Sequence, residues 1–169
     1  LSLRRQRQMC IRDSNSIERK KIFEEKWVTI GVASSVPNPG DTKPFDLLGI
    51  PLIIIRDKKH QVRVFHNVCS HRGYKLVQET CSLKNVLRCP YHSWSYDFEG
   101  NLVATPHLGG INKHEHDDFD KSKSGLKEVR TSIWLDLIMV NISENELPFT
   151  EYIKPCLLYT SPSPRDVEE

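Results

Sequence analysis

The stretch Cys69-Ser70-His71, together with Cys89-Pro90-Tyr91-His92 further along the chain, carries most of the information about the fold. Each of these two boxes places one thiol and one imidazole close together, so both side chains can point to the same side of a tight loop. Residues 72–88 between the boxes can leave one loop, form a short hairpin and return. The sequence therefore predicts two adjacent loops with four metal-binding side chains.

Two thiolates and two imidazoles suit two kinds of metal centre. In a mixed-ligand 2Fe–2S cluster, two Cys hold one iron and two His hold the other, and the potential is roughly −150 to +300 mV, against about −400 mV for a plant-type cluster. The same side chains could bind zinc tetrahedrally, but common zinc modules pair Cys with Cys and His with His. Because each box is mixed, the sequence favours the cluster and electron transfer over zinc, and both over four unliganded core residues.

The surrounding residues resemble the Rieske domain of ring-hydroxylating oxygenase α subunits, which are Rieske non-haem iron oxygenases. The resemblance covers roughly residues 17–150. The stretches that carry it are Ile22-Phe23, Trp27, Pro39-Gly40-Asp41, Val64-Phe65-His66-Asn67, Val68-Cys69-Ser70-His71-Arg72-Gly73, Cys89-Pro90-Tyr91-His92-Ser93-Trp94-Ser95-Tyr96-Asp97, Gly100, Leu102, Pro106, Trp134 and Asn141. It implies Cys69, His71, Cys89 and His92 as ligands of a Rieske 2Fe–2S cluster. It also implies an all-β fold, an antiparallel Rieske (ISP-type) β sandwich with a small cluster-binding subdomain and a short N-terminal helix.

The pattern of the chain agrees with such a fold, since many short apolar runs are separated by turn signals. A helix capped by Ser16 is expected to run to about Glu25. Gly100 is expected to supply a positive φ in a hairpin turn. Strands are predicted at 27–33, 45–48, 52–56, 62–65, 85–88, 94–97, 102–103, 127–131 and 133–141.

Residues beside the ligands are assigned supporting roles. Arg72 has two possible kinds of role: its charge stabilises the reduced cluster or contacts an acidic partner, or the residue is a buried brace of the loop. Gly73 permits the turn after the first box. Tyr91 and Trp94 are expected to shield the sulfurs from water, and Tyr96 to donate a hydrogen bond towards a Cys sulfur.

Ser93 departs from the family, which usually has Gly at this position, and we expect its backbone to avoid positive φ. Respiratory cytochrome bc-type Rieske proteins carry an extra Cys in each box, and the two form a disulfide; the matching residues here are Tyr74 and Tyr91. Where those proteins place a Ser hydroxyl near a cluster sulfur, this chain has Trp94. Fewer hydrogen bonds to sulfur indicate the lower-potential oxygenase or ferredoxin class.

A second group of polar side chains lies in the stretch after the boxes: His107, His114, Glu115, His116, Asp117 and Asp118. A 2-His-1-carboxylate triad would suit mononuclear iron. No regular element is predicted to fix such a geometry here, so we expect a solvated loop. In the resembled family the mononuclear iron ligands follow the pattern D/E-x-x-H-x-x-x-x-H in a C-terminal domain. That pattern does not occur in this sequence, so no catalytic residue is assigned.

Both ends of the sequence, residues 1–14 and 156–169, resemble translated sequencing-adapter read-through and are expected to be artefactual tails. The expected Rieske domain is 15–155, with cluster-binding loops at about 66–106 and the catalytic domain missing. Between the tails there are 19 Lys and Arg residues and 18 Asp and Glu residues, which gives a net charge of +1. This balance predicts neither a nucleic-acid nor a membrane partner. Cys81 is then the only spare thiol, which suits a reducing cytoplasm, unless a preceding segment directs the protein to an organelle.

The resemblance implies an enzyme, a Rieske-type mono- or dioxygenase, of which this part alone is not catalytic. Its Rieske domain would take electrons from a ferredoxin or flavin reductase and pass them to a mononuclear iron, usually across a subunit boundary in a homotrimer. The N-terminal pattern resembles choline- and carnitine-type monooxygenases. The alternative is a stand-alone Rieske ferredoxin, an electron carrier that would be shorter and lack the N-terminal helix with Trp27; a zinc-stabilised binding module comes third.

Overall fold

The computed structural model describes residues 15–111 and 113–160. The chain divides into two compact units, one of residues 28–140 and one of residues 1–27 together with 141–169. No helix in the described part is both long enough and apolar enough to cross a membrane.

The described residues include ten strands, whose ladders are all antiparallel. They form three sheets, in the orders β1-β10-β9, β4-β3-β2-β5 and β6-β7-β8. The expected all-β fold is confirmed. The strands are β1 Val28–Val32, β2 Asp41–Leu47, β3 Ile50–Arg56, β4 Val62–His66, β5 Cys81–Ser82, β6 Leu87–Arg88, β7 Ser95–Tyr96, β8 Leu102–Ala104, β9 Arg130–Trp134 and β10 Leu137–Asn141. Short 3-10 helices span Ala33–Ser35 and Lys121–Lys123.

Strand β3 is the centre of the four-stranded sheet because its side chains are apolar on both faces. Its residues 52–55 are fully buried, as a continuous apolar run predicts for an inner strand. Ile53 pairs with Pro44 of β2 on one side and with Phe65 of β4 on the other. Burying each such aliphatic side chain contributes roughly 1.5–3 kcal/mol.

The hairpin β9–β10 corrects one expectation. The sequence predicted a single strand over 133–141, but the chain turns at Leu135 and Asp136, which have φ values of 49° and 69°. Two successive positive φ values are typical of the primed turns that match strand twist. The Asp136 carboxylate holds the turn in place, since it accepts hydrogen bonds from the backbone N–H and the hydroxyl of Ser34 at 3.0 and 2.6 Å.

The small sheet β6-β7-β8 lies beside the two predicted ligand boxes and shares their core. The turn between β7 and β8 has Gly100 at φ 88°, as expected. An added β-carbon there would come within 2.5 Å of the Phe65 ring, so the backbone packs directly on the core. The buried cluster beneath the boxes includes Ile53, Ile55, Phe65, Cys69, Cys89, Trp94, Tyr96 and Phe98.

The smaller unit is described at residues 15–27 and 141–160. Residues 15–24 are helical, with π-helical geometry over Arg19–Glu24, and Ser16 lies within this helix instead of capping it. The Trp27 indole donates to the Leu147 carbonyl at 2.8 Å and meets the Phe149 ring edge-on. Short α-helices follow at Phe149–Tyr152 and Lys154–Thr160, so the start of the expected second tail is helical. The expected first tail and residues 161–169 lie outside the described residues.

Candidate metal centre

The first loop leaves β4 and closes on itself through two backbone hydrogen bonds. The Cys69 N–H donates to the Tyr74 carbonyl at 2.8 Å, and the Gly73 N–H donates to the Cys69 carbonyl at 2.9 Å. Gly73 has φ 68°, the conformation for which a glycine was expected here. The turn leaves the Cys69 side chain only 2% exposed, against the core.

The Asn67 side chain, at the start of this loop, is hydrogen-bonded to the backbone at the end of the loop. Its Oδ1 accepts from the backbone N–H groups of Leu76 and Val77, both at 3.0 Å, and its Nδ2 donates to the Val77 carbonyl at 2.7 Å. The side chain is fully buried, so these bonds replace all contact with water. Asn67 has no role predicted from the sequence, although a polar residue directly after an apolar strand was an available signal.

The second loop, between β6 and β7, repeats the hydrogen bonds of the first. The Cys89 N–H donates to the Trp94 carbonyl at 2.8 Å, and the Ser93 N–H donates to the Cys89 carbonyl at 2.9 Å. The expectation that Ser93 avoids positive φ is wrong, because its φ is 61°. For a residue with a β-carbon this conformation costs roughly 1–2 kcal/mol. The loop therefore holds a strained residue where the first loop has glycine.

The two loops bring the four predicted ligands together. Both Cys69 and Cys89 are buried, at 2% exposure, whereas His71 and His92 are half-buried with ring centroids 4.7 Å apart. The Nδ1 atom of His92 is buried and has no hydrogen-bond partner among the described residues. Since buried polar atoms are almost always bonded, this atom fits a metal ligand. The donor set, with two buried thiols inside and two imidazoles outside, fits a Rieske-type 2Fe–2S cluster.

The environment shifts the protonation equilibria of these side chains. Burial raises the pKa of the Cys89 thiol, while hydrogen bonds from the backbone N–H groups of Tyr91 and His92 act in the opposite direction. Burial, and then the charges of His92 and Arg72, lower the pKa of His71. A lowered pKa favours the neutral imidazole, which is the form that binds metals.

Aromatic rings cover both imidazoles. The Trp94 ring is 4% exposed and stacks on His71, with centroids 4.5 Å apart and planes 9° apart. Tyr91 is 55% exposed, and its ring lies 3.7 Å from that of His92. Tyr74 lies 5.7 Å from Tyr91, so the residues that match the disulfide cysteines of the other Rieske class are neighbours here. Trp94 is thus placed to exclude water, and Tyr91 covers only the outer rim.

Tyr96 reaches the first loop from strand β7. Its hydroxyl oxygen lies 3.2 Å from the Cys69 Sγ, the contact that the sequence predicted with a Cys sulfur. The side chain is fully buried. Burial, and then the neighbouring Cys69, raise the pKa of Tyr96 well above its usual range. The phenol therefore keeps its proton and can donate it to a thiolate.

An open cavity of about 600 Å³ lies at the imidazole side of the loops. It is lined by His71, His92, Arg72, Arg88 and other residues. Arg72 is exposed and has no hydrogen bond or ion pair within 15–111 and 113–160, so the alternative of a buried brace is wrong. Two arginines therefore line the same cavity as both predicted His ligands.

The polar stretch after the boxes forms an exposed loop. The His107 N–H donates to the Nδ1 of His114 at 3.3 Å, and the two rings meet edge-on. Nowhere in the described part of the chain do three His, Cys, Asp or Glu side chains form a group that could hold a single metal ion. His107 instead lines the rim of the cavity.

Comparisons with known proteins agree with this geometry. The Rieske [2Fe–2S] domain matches residues 26–115. The α subunit of 2-aminobenzenesulfonate 2,3-dioxygenase from an Alcaligenes species is 33% identical over 83% of this chain and 35% of its own length. The oxygenase subunit of carnitine monooxygenase from Acinetobacter baumannii is 30% identical over 76% of this chain and 33% of its own length.

Solved structures show the same likeness. The apo form of CntA, a quaternary ammonium Rieske monooxygenase, has a TM-score of 0.73 at 27% identity and covers 84% of this chain and 40% of its own. Naphthalene 1,2-dioxygenase from a Rhodococcus species has a TM-score of 0.75 at 26% identity. The match covers 86% of this chain and 33% of the dioxygenase chain. This chain spans about a third of the length of the curated relatives it matches. The matched region includes both loops, and the chain belongs to the Rieske [2Fe–2S] domain family.

Proposed function

We propose that this chain is the electron-transfer region of a Rieske oxygenase α subunit, with Cys69, Cys89, His71 and His92 as the ligands of its 2Fe–2S cluster. The observation that carries the proposal is the meeting of two buried thiols with two half-buried imidazoles, one of which has an unpartnered buried Nδ1. When bound, a cluster of this type supplies one-electron transfer at a potential set by its ligands and surroundings.

Residues around the proposed cluster have distinct roles in holding it, shielding it and contacting a partner. The buried thiols hold the inner side, and the imidazoles of His71 and His92 line the open cavity, where a partner can approach them. Trp94 keeps water from the first imidazole. The guanidinium groups of Arg72 and Arg88 at the cavity suit a partner that presents carboxylates.

For the whole protein we propose a ferredoxin or flavin reductase as electron donor and a mononuclear iron in a C-terminal catalytic domain as acceptor. The expected domain of 15–155 and its cluster-binding loops at about 66–106 belong to the same proposal. Support comes from the relatives, which are oxygenase subunits in which the matched segment makes up only about a third of the length. A solved structure of a quaternary ammonium Rieske monooxygenase is described in terms of inter-subunit electron transfer, which supports a multimer, and we propose a homotrimer in the cytoplasm. The reaction is hydroxylation or demethylation of a substrate by O₂.

Anaerobic reconstitution with iron and sulfide tests the assignment. The full chain should take up about two irons and two sulfides, become reddish-brown, and give a rhombic EPR signal on reduction. Alanine at any of the four ligands should abolish the signal. The controls Cys81→Ser and His107→Ala change an exposed thiol and an exposed imidazole and should retain it.

Three results would count against the proposal. A His71→Ala chain with an unchanged Rieske spectrum would show that the ligand assignment is wrong. A colourless chain that binds one zinc would favour a zinc module. Oxygenase turnover by this chain alone would show that the second iron site is not elsewhere.

A further inference from the structure

We infer that Ser70 sets the strength of the hydrogen bond from Tyr96 to the Cys69 sulfur, because the Ser70 hydroxyl competes for the same phenolic proton. The inference rests on the proposed function, since it requires Cys69 to be a thiolate ligand. Ser70 lies between the two predicted ligands of the first box, and no role is predicted for it from the sequence alone.

The hydroxyl of Ser70 has two oxygen neighbours. Its Oγ lies 2.6 Å from the backbone carbonyl of Ser124 and 2.9 Å from the Tyr96 hydroxyl. A carbonyl can only accept, so the single Ser70 proton goes to Ser124. The contact between Ser70 Oγ and Tyr96 is then a hydrogen bond only if Tyr96 is the donor.

Tyr96 therefore has one proton and two acceptors. Beside Ser70 Oγ at 2.9 Å, the Cys69 Sγ lies at 3.2 Å, and a cluster-bound thiolate has no proton of its own. The backbone N–H of Ser70 donates to the phenolic oxygen at 3.1 Å and occupies one of its lone pairs. Ser70 itself is exposed, but Tyr96, whose hydroxyl supplies the proton, is fully buried, so the competition for that proton is between the two protein acceptors.

The competing arrangement is fixed from both sides. Tyr96 belongs to β7, where it pairs with Leu87 and Leu102. The Ser124 carbonyl belongs to a loop that is anchored two residues later, where the Leu126 N–H donates to the Gly100 carbonyl at 2.8 Å. The pairing of β7 thus fixes the backbone of Tyr96, and the Leu126 bond fixes the loop that holds the Ser124 carbonyl.

A hydrogen bond to a cluster sulfur stabilises the reduced, more negative state and so raises the potential. Sharing the proton with Ser70 weakens that effect. Removing the Ser70 hydroxyl leaves Cys69 as the only acceptor, so Ser70→Ala should raise the midpoint potential. A hydrogen bond worth roughly 0.5–1.5 kcal/mol corresponds to about a two- to tenfold change in the reduction equilibrium constant, or about 20–60 mV at about 59 mV per tenfold.

The test is a redox titration of the reconstituted full chain, followed by the EPR signal of the reduced cluster. We expect Ser70→Ala to raise the midpoint potential, Tyr96→Phe to lower it, and the double variant to match Tyr96→Phe. Ser70→Thr keeps the hydroxyl and should behave as the parent chain. Ser122→Ala, which removes an exposed hydroxyl bonded to Asp120 on the loop that contains Ser124, is the matched control and should cause no shift.

Each other outcome overturns the inference. An unchanged or lower potential in Ser70→Ala would mean that its hydroxyl does not compete for the proton. A rise that persists in the Tyr96→Phe background would show that Ser70 acts on the cluster directly. Loss of the cluster in Ser70→Ala would make Ser70 a structural residue. A parent chain with no Rieske signal would instead remove the proposed function, and this inference with it.

Discussion

Gly73 and Ser93 occupy equivalent places in the two loops of the metal centre. Each is the fourth residue after a cysteine, and each donates its N–H to the carbonyl of that cysteine at 2.9 Å. Their φ values are 68° and 61°. The two loops therefore demand the same left-handed backbone, but only the first has the residue that adopts it without strain.

Replacing Ser93 with Gly should stabilise the protein. The change removes a β-carbon from a left-handed position, which is worth roughly 1 kcal/mol after the greater flexibility of glycine in the unfolded chain is subtracted. The thermal unfolding midpoint of the cluster-loaded chain, followed by circular dichroism, should rise.

The matched control is Ser132→Gly in strand β9, where the backbone has no positive φ. This change should lower the midpoint, since glycine weakens a strand interior. Equal effects of the two substitutions would contradict the strain at Ser93.

Replacing Asn67 with Ala should loosen the first loop. It leaves the buried N–H groups of Leu76 and Val77 and the Val77 carbonyl without their partner, at a cost of roughly 3 kcal/mol. The free energy of unfolding should fall, and the cluster should be lost faster to a chelator. Asn101→Ala, which removes an exposed bond to Asp97, should change the free energy of unfolding and the rate of cluster loss little. Equal effects of the two substitutions would show that the buried bonds of Asn67 do not stabilise the loop.

Replacing Trp94 with Leu should shorten the lifetime of the cluster in air. The buried indole stacks on His71 and packs edge-on against Phe119. Its loss removes packing worth roughly 2–4 kcal/mol and admits water beside the imidazole. The decay of visible absorbance should accelerate several-fold.

Tyr91→Leu provides the comparison because that ring also touches an imidazole but is largely exposed. We expect a much smaller change in the decay rate. If Tyr91→Leu accelerated the decay as much as Trp94→Leu, shielding would not depend on burial.

The ion pair between Lys26 and Glu146 predicts a dependence on alkaline pH. Their side chains meet at 2.6 Å, and the hydrogen bond and then the charge of Glu146 raise the pKa of Lys26 above 10.5. A raised lysine pKa means that the stabilisation is fully present below 10.5 and is lost as the pH rises through the folded-state value. The melting midpoint of Glu146→Gln should lie below that of the parent at about pH 8, and the difference should narrow above pH 10.5.

Glu79→Gln is the control, since Glu79 is exposed and has no ion pair within the described residues. Its melting difference from the parent should not depend on pH over this range. A constant difference for Glu146→Gln would rule out the pair as the source.

The sequence was sufficient where one local pattern determined the result. The mixed boxes predicted which four side chains meet, and the run at 52–55 predicted the central strand. Turn chemistry was less visible: Leu135 and Asp136 form a primed turn without glycine or asparagine, and Ser93 adopts a positive φ that its residue type disfavours. Strand β5 has only two residues, which is too short to show the alternation of apolar and polar residues that predicts a strand.

The hydroxyl arrangement at Ser70 depends on a carbonyl 54 residues away, and no local pattern contains that information. The same holds for Asn67, whose partners are fixed only after the loop has closed. Local chemistry therefore predicted which residues meet, whereas the division of protons among them required the three-dimensional structure.

The contact between the rings of Tyr74 and Tyr91 has a practical consequence. A disulfide between two such loops is reduced by thiols such as dithiothreitol or glutathione. Two neighbouring phenol rings contain no bond that a thiol reduces. The ring contact between the two loops should therefore be unaffected by the reducing agents used to protect the cysteines.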